Sequence, residues 1–269
     1  MPRLWIVAAI TPPADTGTGM APISPSIPRT AMILAAGRGE RMRPLTDATP
    51  KPMLKAGGAP LIARILDRLA AARVARVVVN THHLADQIEA FLAEQEPPPE
   101  ILVSRETERP LETGGGVRHA LSLLGDDPVI VCNGDAIWLN GPVPVLTRMA
   151  EAWDPARMDA LLLTMLAPRV IGPTGPGDFG MNPDGLLRRR EGGEILPYIY
   201  ASVQIIKPQV FEDAPDGPFS MNVIWDRLIE RERLYGLVHD GLWFHLNTPE
   251  DLAEADPMLD ERNARWLEL

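Results

Sequence analysis

A short stretch near the amino terminus brings glycines and basic residues close together. Residues 34–54 read Leu-Ala-Ala-Gly-Arg-Gly-Glu-Arg-Met-Arg-Pro-Leu-Thr-Asp-Ala-Thr-Pro-Lys-Pro-Met-Leu and continue an apolar segment, 31–34, of the kind that forms a buried parallel strand. Glycines where a strand ends let the backbone approach a ligand and direct N–H groups at phosphate oxygens. We therefore predict a phosphate-binding turn around Gly37 and Gly39.

The same stretch is positively charged in an acidic chain. Five cationic side chains between positions 38 and 55 accompany two acidic ones, a balance of +3, whereas the chain of 269 residues has a net charge of −10. Only three lysines occur, and two of them, Lys51 and Lys55, fall here. This local concentration of cations predicts an anion site, and the lack of a long basic stripe argues against a nucleic-acid-binding protein.

Two widespread phosphate-binding motifs do not fit this turn. A P-loop requires Gly-Lys-Ser/Thr after its second glycine, and a dinucleotide fingerprint requires Gly or Ala where Met42 stands. The run instead resembles the signature of the sugar-1-phosphate nucleotidyltransferases. The family elements Leu-Ala-Ala-Gly, Gly-x-Arg, Pro-Leu-Thr and Pro-Lys-Pro are matched by residues 34–37, 39–41, 44–46 and 50–52.

The resemblance implies a reaction and roles for three charged residues. In this family an oxygen of a sugar-1-phosphate attacks the α-phosphorus of a nucleoside triphosphate and pyrophosphate leaves, so positioning and charge stabilisation carry the rate. Arg41 corresponds to the arginine that contacts the departing pyrophosphate. Lys51 corresponds to the lysine that bridges the α-phosphate and the incoming phosphate, and Asp135 to the aspartate that binds Mg²⁺.

The two substrates also have candidate contacts. Those expected for the nucleotide are Leu34, Ala35, Ala36, Gly37, Gly39, Asn80, Thr113 and Gly114, with the glycines of 112–116 interpreted as a flat surface for the base. Those expected for the sugar phosphate are Asn133 and Asp178. Asn80 and Asp178 are equally consistent with ordinary turn residues.

One segment departs from the family pattern Trp-x-Asp-x-Gly-Thr-Pro-Glu, whose aspartate is the second metal ligand. Residues 243–250 have His245 in place of that aspartate and Asn247 in place of the glycine. A neutral imidazole can ligate a metal but favours softer ions than Mg²⁺. We predict an active enzyme whose metal, Mg²⁺ or alternatively Mn²⁺ or Co²⁺, is held by Asp135 and His245. If His245 points away, Asp135, phosphates and water hold it.

The elements that must position these residues alternate between strand and helix. Strands are predicted over 31–34, 74–81, 101–104, 129–132, 160–166, 199–206 and 234–238, and helices over 60–72, 84–92, 114–124 and 248–260, the last capped by Thr248. Alternation of this kind predicts an α/β fold with a doubly wound, mostly parallel, Rossmann-like sheet. Ligands bind beyond the carboxyl ends of such strands, so the glycine turn and 133–135 are expected to share one cleft.

Composition bounds the remaining possibilities. No stretch approaches the ~18 apolar residues of a membrane span, and Cys132 is the only cysteine, which excludes an internal disulfide. We predict a cytoplasmic monomer or small homo-oligomer with one catalytic domain over 30–269. The proline-rich residues 1–29 are expected to be a disordered or dispensable leader, with Met20 as an alternative start and a secretory signal as the less favoured interpretation.

Within the family, the compact length, the Glu-Thr-Gly-Gly-Gly segment and the Gly-Asp-Phe loop most resemble the bacterial uridylyltransferases that act on N-acetylmuramate-1-phosphate in cell-wall recycling. The mannose-1-phosphate guanylyltransferases are the alternative. A catalytically weak relative that binds nucleotide or sugar as a sensor is the alternative from another class, suggested by His245.

Overall fold

A nine-stranded sheet forms the centre of the chain in a computed structural model that describes residues 26–260. The strands of the described part are β1 (Thr30–Leu34), β2 (Lys55–Ala56), β3 (Ala59–Pro60), β4 (Arg76–Thr81), β5 (Glu100–Arg105), β6 (Val129–Asn133), β7 (Ile137–Leu139), β8 (Ala160–Leu166), β9 (Phe179–Met181), β10 (Leu187–Arg189), β11 (Tyr198–Ile206), β12 (Leu234–Val238) and β13 (Leu242–Phe244). Its α-helices are α1 (Leu61–Ala71), α2 (Ala85–Ala93), α3 (Glu112–His119), α4 (Leu121–Leu124), α5 (Val145–Ala152), α6 (Asn222–Glu230) and α7 (Pro249–Leu259).

The main row of the sheet is ordered β12-β8-β11-β6-β1-β4-β5, with β9 and β10 attached beside β11. β1 lies between β4 and β6 and is parallel to both, β5 is parallel to β4, and β12 is parallel to β8. β11 alone in this row runs the other way, antiparallel to β6 and β8. The mostly parallel α/β sheet predicted from the alternation of strands and helices is therefore confirmed.

Helices cover both faces of this sheet, because successive side chains of a buried strand point to opposite sides. In β1, Ala31 and Ile33 belong to an apolar cluster that includes residues of α1, α2 and α5. Met32, between them, belongs to a second cluster with residues of α3, α4 and α6. The apolar core on each face holds β1 in the middle of the sheet. Its carboxyl end lies where the parallel neighbours β4 and β6 also end.

A third apolar cluster joins the glycine-rich segment to β7, β13 and α7. Met42 and Leu54, on either side of the Pro-Lys-Pro motif, pack with Ile137 of β7 and with Phe244 and Leu246. β7 and β13 pair antiparallel as a small separate sheet. This packing holds the motif against the 243–250 segment.

The predicted cap of the last helix is confirmed. Thr248 precedes α7, its Oγ1 accepts a hydrogen bond from Asp251 N at 3.2 Å, and Asp251 Oδ2 accepts one from Thr248 N at 2.9 Å. This reciprocal pair fixes the start of α7 and thus the backbone at Asn247.

The structure differs from the predictions mainly in short elements. β7, β9, β10 and β13 have three residues each, too few to show a period, and the predictions also omitted α5 and α6. The helix predicted to open at Gly114 begins at Glu112 and is interrupted at Ala120.

Most of the predicted leader, residues 1–25, lies outside the described residues, as does Met20. Two residues near the end of the predicted leader contact the rest of the described chain. Ile27 packs against the first apolar cluster, and Arg29 O accepts hydrogen bonds from Ala75 N at 2.8 Å and Arg76 N at 3.1 Å. Ile27 and Arg29 thus contact the domain, and the boundary at residue 30 stays a prediction. Across the described residues, no helix has the length and apolar content needed to cross a membrane.

Candidate active site

A cleft of about 200 Å³ opens where β1, β4 and β6 end. It is lined by Leu34, Ala35, Ala36, Gly37, Gly39, Lys51, Pro52, Asn80, Pro110, Glu112, Thr113, Asn133, Gly134 and Asp135. The prediction that the glycine turn and 133–135 share one cleft is confirmed. The binding roles of these residues remain predictions.

Gly39 shapes the turn that follows β1. Its φ is +63°, a left-handed conformation, and its carbonyl accepts a hydrogen bond from Thr46 Oγ1 at 2.9 Å. A Cβ on Gly39 would lie 2.9 Å from Thr46 Cγ2 and 3.1 Å from Lys51 Cβ. A glycine at this position therefore lets the basic residue of the Pro-Lys-Pro motif lie directly against the turn.

Lys51 begins a short 3-10 turn, Lys51–Met53, after the extended Pro50. Its Nζ forms an ion pair with Asp135 Oδ2 and donates a hydrogen bond to Leu246 O at 2.7 Å. The Lys51 side chain is 12% exposed and that of Asp135 is 30% exposed. The two residues with the clearest predicted chemistry are thus in contact, and both line the cleft.

Asn80 is buried, and its amide bonds to the protein. Its Oδ1 accepts from Ala35 N at 2.7 Å, and its Nδ2 donates to Glu106 Oε1 at 2.7 Å. Glu106 is buried as well, and its Oε2 accepts from Leu111 N at 2.7 Å. This chain of bonds connects the glycine turn with the start of α3, so the geometry favours a positioning role for Asn80. The sequence analysis missed Glu106, whose only signal is a carboxylate just after β5.

The interpretation of the glycines in 112–116 needs correction. Glu112 and Thr113 line the cleft, whereas Gly114 does not. Gly114 N donates to Phe219 O at 2.9 Å, and a Cβ on Gly114 would overlap the Phe219 ring. A Cβ on Gly116 would lie 2.7 Å from Asn80 Nδ2. These glycines let α3 pack closely against its protein neighbours, and Gly114 offers no surface to the cleft.

Arg41 lies outside the lining of the cleft. It is exposed in the 3-10 turn Glu40–Met42, and the described residues offer its guanidinium no hydrogen bond or ion pair. Gly39, two residues earlier, does line the cleft. The structure leaves the predicted contact of Arg41 with pyrophosphate as a prediction.

A second cavity of about 360 Å³ adjoins the first and shares Asn133 with it. It is lined by Asn133, Gly175, Pro176, Gly177, Asp178, Arg189, Ile199, Tyr200, Ser202, Asn222, Trp225, Trp243 and His245. Asn133 Nδ2 donates to Ser202 Oγ at 3.4 Å, at a bulge of β11 where Ser202 has a φ of +65°. The two residues predicted for the sugar phosphate, Asn133 and Asp178, are thus brought together here.

Asp178 is exposed just before β9, and it also ties its loop to β11. Its Oδ2 accepts from Tyr200 N at 2.9 Å, while its own N donates to Tyr198 O at 2.8 Å. A carboxylate held in this way keeps its other oxygen for a hydroxyl group. Asp178 therefore has the turn-forming role that the sequence left open, and its contact with the sugar stays a prediction.

His245 is placed differently from the prediction. It lines the second cavity, not the cleft that contains Asp135, and its ring stacks on Trp243 with centroids 5.1 Å apart. Its Nδ1 lies 2.9 Å from Pro173 O, which can only accept, so Nδ1 carries the proton. Its Nε2 then accepts from Asn247 Nδ2 at 2.8 Å. Neither ring nitrogen has a lone pair left for a metal, and this geometry argues against His245 as a ligand.

The described residues contain no group of three or more His, Cys, Asp or Glu side chains that could hold a metal ion. Two carboxylates line the cleft, Asp135 and the exposed Glu112. A single hard carboxylate fits Mg²⁺, which is commonly bound by one or two carboxylates together with substrate phosphates and water. The preference of Mg²⁺ for carboxylate oxygens thus favours Asp135, and not His245, as the metal ligand.

Two buried polar atoms of the second cavity have no hydrogen-bond partner among the described residues. They are the hydroxyl oxygen of Tyr200 and Nε1 of Trp243. Burial, with the nearby Cys132 and Asp135, raises the pKa of Tyr200 well above its usual value, so its hydroxyl keeps its proton and can donate. The sequence analysis missed both residues, as well as Arg189, because they lie in ordinary strand patterns.

The sheet, the glycine turn and the lysine–aspartate pair at its carboxyl edge define a nucleotidyltransferase, and comparison with known proteins agrees. The family model of MobA-like NTP transferase domains matches residues 31–194. N-acetylmuramate alpha-1-phosphate uridylyltransferase of Caulobacter vibrioides is 44% identical over 237 residues, which are 87% of this chain and 98% of that protein. The chain belongs to this family and is a sugar-1-phosphate nucleotidyltransferase.

Two further relatives are more distant. Mannose-1-phosphate guanylyltransferase of Mycobacterium tuberculosis is 29% identical over 238 residues, which are 82% of this chain and 62% of that protein. A crystal structure of UDP-glucose pyrophosphorylase complexed with UDP-glucose has a TM-score of 0.71 at 16% identity, covering 87% of this chain and 99% of that one. The latter likeness shows that the fold is shared.

Proposed function

We propose that this chain transfers the uridylyl group of UTP to N-acetylmuramate α-1-phosphate and releases pyrophosphate. The observation that carries this proposal is the pair of adjoining cavities that share Asn133, with Lys51 and Asp135 in the cleft on one side. The nucleotide would occupy the cleft along 34–39 and the sugar the second cavity. The similarity to the Caulobacter uridylyltransferase supports the choice of base and sugar.

The reaction needs no nucleophile from the protein. A phosphate oxygen of the sugar phosphate forms a bond to the α-phosphorus of UTP, and the bond from that phosphorus to the bridging oxygen of pyrophosphate breaks. Lys51 Nζ, fixed by Asp135 and by Leu246 O, would stabilise the negative charge on the oxygens around the α-phosphorus. Arg41 would contact the departing pyrophosphate with its planar fork of donors.

Asp135 would hold a divalent cation, Mg²⁺ by the chemistry of its ligand, together with phosphate oxygens and water. Such a cation neutralises charge on the triphosphate when it is bound. The pairing of Asp135 Oδ2 with Lys51 leaves Oδ1 without a hydrogen bond from any described residue, so this carboxylate can bind both cations. His245 is not part of this proposal.

The wider role follows from the sugar. N-acetylmuramate is a component of the bacterial cell wall, so we infer a function in the recycling of cell-wall sugars, carried out in the cytoplasm. The buried, unpaired thiol of Cys132 agrees with a reducing compartment.

Pyrophosphate release tests the proposal directly. It is measured with UTP, GTP, CTP and ATP, each against N-acetylmuramate-1-phosphate, N-acetylglucosamine-1-phosphate and mannose-1-phosphate. We expect the highest kcat/KM for UTP with N-acetylmuramate-1-phosphate. A preference for GTP with mannose-1-phosphate would favour the guanylyltransferase alternative, and binding without turnover in every combination would favour a sensor.

A further inference from the structure

We propose that Arg189 binds the lactyl carboxylate of the sugar substrate and so selects for it. The inference rests on the proposed function and names a residue that determines its specificity. N-acetylmuramate differs from N-acetylglucosamine by a lactyl ether that carries a carboxylate. A site that prefers the former must recognise this second negative charge at some distance from the phosphate.

Arg189 ends β10 and lines the second cavity. Its guanidinium is held from one side by α6, because Nε donates to Asp226 Oδ1 at 2.6 Å and Nη2 donates to Asn222 Oδ1 at 2.9 Å. Nη1 has no hydrogen bond to any described residue, and the side chain is 30% exposed. One hydrogen of Nη1 and the second hydrogen of Nη2 thus form an unused fork, the geometry that binds a carboxylate through two parallel hydrogen bonds.

The guanidinium is also fixed in its plane. It lies over the Phe179 ring at 4.8 Å from the centroid and near the Trp225 ring at 5.7 Å. Trp225 in turn contacts Tyr200, ring edge to ring face, with centroids 4.7 Å apart. Aromatic contact on the cation excludes water from part of its surface and strengthens its interaction with an anion.

The charges of the second cavity favour this role. Among the residues that line it, Arg189 is the permanent cation and Asp178 the carboxylate. Asp178 is already bonded to Tyr200 N and suits a sugar hydroxyl. A substrate carboxylate that enters this cavity beside Asn133 would therefore bind most favourably at Arg189. Asp226 offsets the charge of Arg189 only in part, because the Asp226 side chain is 54% exposed.

The alternative is that Arg189 merely supports the cavity through its bonds to α6. Two sugar phosphates that differ in the lactyl group separate these roles, since a supporting residue affects both alike. The variants are Arg189→Met, which removes charge and fork, and Arg189→Lys, which keeps the charge without the fork. The matched control is Arg188→Met, because Arg188 lies on the same strand, pairs with Glu194 and does not line the cavity.

The experiment measures kcat/KM with saturating UTP for N-acetylmuramate-1-phosphate and N-acetylglucosamine-1-phosphate. If the second sugar turns over too slowly, its inhibition constant against the first replaces kcat/KM. For Arg189→Met we expect a loss of about 10–100-fold with N-acetylmuramate-1-phosphate and less than about threefold with the other sugar, as for one lost charge-assisted contact. Arg189→Lys should lie between, and Arg188→Met should match the wild type.

Three outcomes would overturn the inference. Equal losses with both sugars would make Arg189 a supporting residue, and no loss in the Met variant would place the carboxylate elsewhere. If the wild type fails to turn over N-acetylmuramate-1-phosphate with any nucleotide, the proposed function itself fails and the inference with it. The wild-type measurement, taken first, therefore distinguishes the two failures.

Discussion

His245 Nε2 accepts a hydrogen bond from Asn247 Nδ2 at 2.8 Å, and these two residues are the two departures of segment 243–250 from the family pattern. The imidazole needs an acceptor for its Nδ1 proton and a donor for Nε2. Pro173 O and the Asn247 amide supply them. The two departures therefore act as one unit, in which the imidazole that replaces a metal-binding carboxylate is stabilised by the amide that replaces a glycine.

His245→Ala, which removes the imidazole without adding a new ligand, should leave the metal preference of the enzyme unchanged. Because both ring nitrogens bond to the protein, His245 contributes no ligand, and the ratio of kcat/KM with Mn²⁺ to that with Mg²⁺ should stay within about twofold of the wild type. Titration of both metals with both proteins measures this ratio. A shift toward Mg²⁺ in the variant would show that His245 does ligate the metal.

The bond between His245 and Asn247 should appear as a coupling in stability. We expect His245→Ala and Asn247→Ala to be non-additive by about 0.5–1.5 kcal/mol in the free energy of unfolding, measured by denaturant titration in a double-mutant cycle. Strict additivity would contradict the bond.

Lys51→Ala should lower turnover by ~10²-fold or more, through loss of charge stabilisation at the α-phosphorus. The effect is measured as kcat from pyrophosphate release, and the folded state is checked by circular dichroism. Lys55→Ala is the control, since Lys55 is exposed and does not line the cleft. Near-normal turnover in the Lys51 variant would remove it from the mechanism.

Gly39→Ala should destabilise the protein by about 1–2 kcal/mol, because a side chain is disfavoured at its left-handed φ of +63°. It should also lower kcat, because the added Cβ presses against Lys51 Cβ. Gly193→Ala is the control, since nothing lies within 4 Å of a Cβ at that position. Melting temperatures and kcat of the two variants are compared, and equal values would refute the constraint at Gly39.

Removal of residues 1–19 should leave the stability of the protein unchanged, whereas removal of residues 1–29 should lower it. A chain that starts at Met20 should match the full chain in melting temperature and activity, since the proline-rich composition before it does not favour core packing. A chain that starts at residue 30 loses Ile27 from the apolar cluster and the two hydrogen bonds to Arg29 O, and should be less stable by about 1–3 kcal/mol. Loss of stability in the chain that starts at Met20 would show that residues 1–19 contact the domain.

Stability should fall at acidic pH through His239. Burial lowers the pKa of this histidine, whose Nε2 contacts the carbonyl oxygens of Leu139 and Leu242, both at 3.1 Å. The unfolded chain takes up the proton more readily, so the stability that neutral His239 contributes is complete above its usual pKa of about 6.5 and is lost as the pH falls through the lowered pKa of the folded state.

The free energy of unfolding at pH 7.5 and at pH 5.5 measures this effect. The decrease should be smaller in His239→Gln than in the wild type. His119→Gln, at an exposed position, should retain the full decrease. An equal decrease in all three proteins would assign the acid sensitivity to other groups.

The sequence by itself determined the parallel core of the fold and most of the residues of the cleft. The strand at 31–34, the glycine turn and the Pro-Lys-Pro motif are contiguous, and their meaning depends on local backbone preferences and burial. The carboxyl ends of parallel strands meet at one edge, so the cleft shared by the glycine turn and residues 133–135 followed from the alternation of strands and helices.

Only the tertiary structure decided what each polar side chain bonds to. The position of His245 in the motif predicted a metal ligand. In the structure its two ring nitrogens form hydrogen bonds with Pro173 O, 72 residues away, and with the Asn247 amide. Gly114 was predicted to contact the base, whereas the Phe219 ring occupies the space beside it in the structure. The fork of Arg189 is formed by β10, α6 and two aromatic rings that no local pattern relates. Hydrogen-bond partners and close packing depend on chain segments far apart in sequence, and a motif cannot specify them.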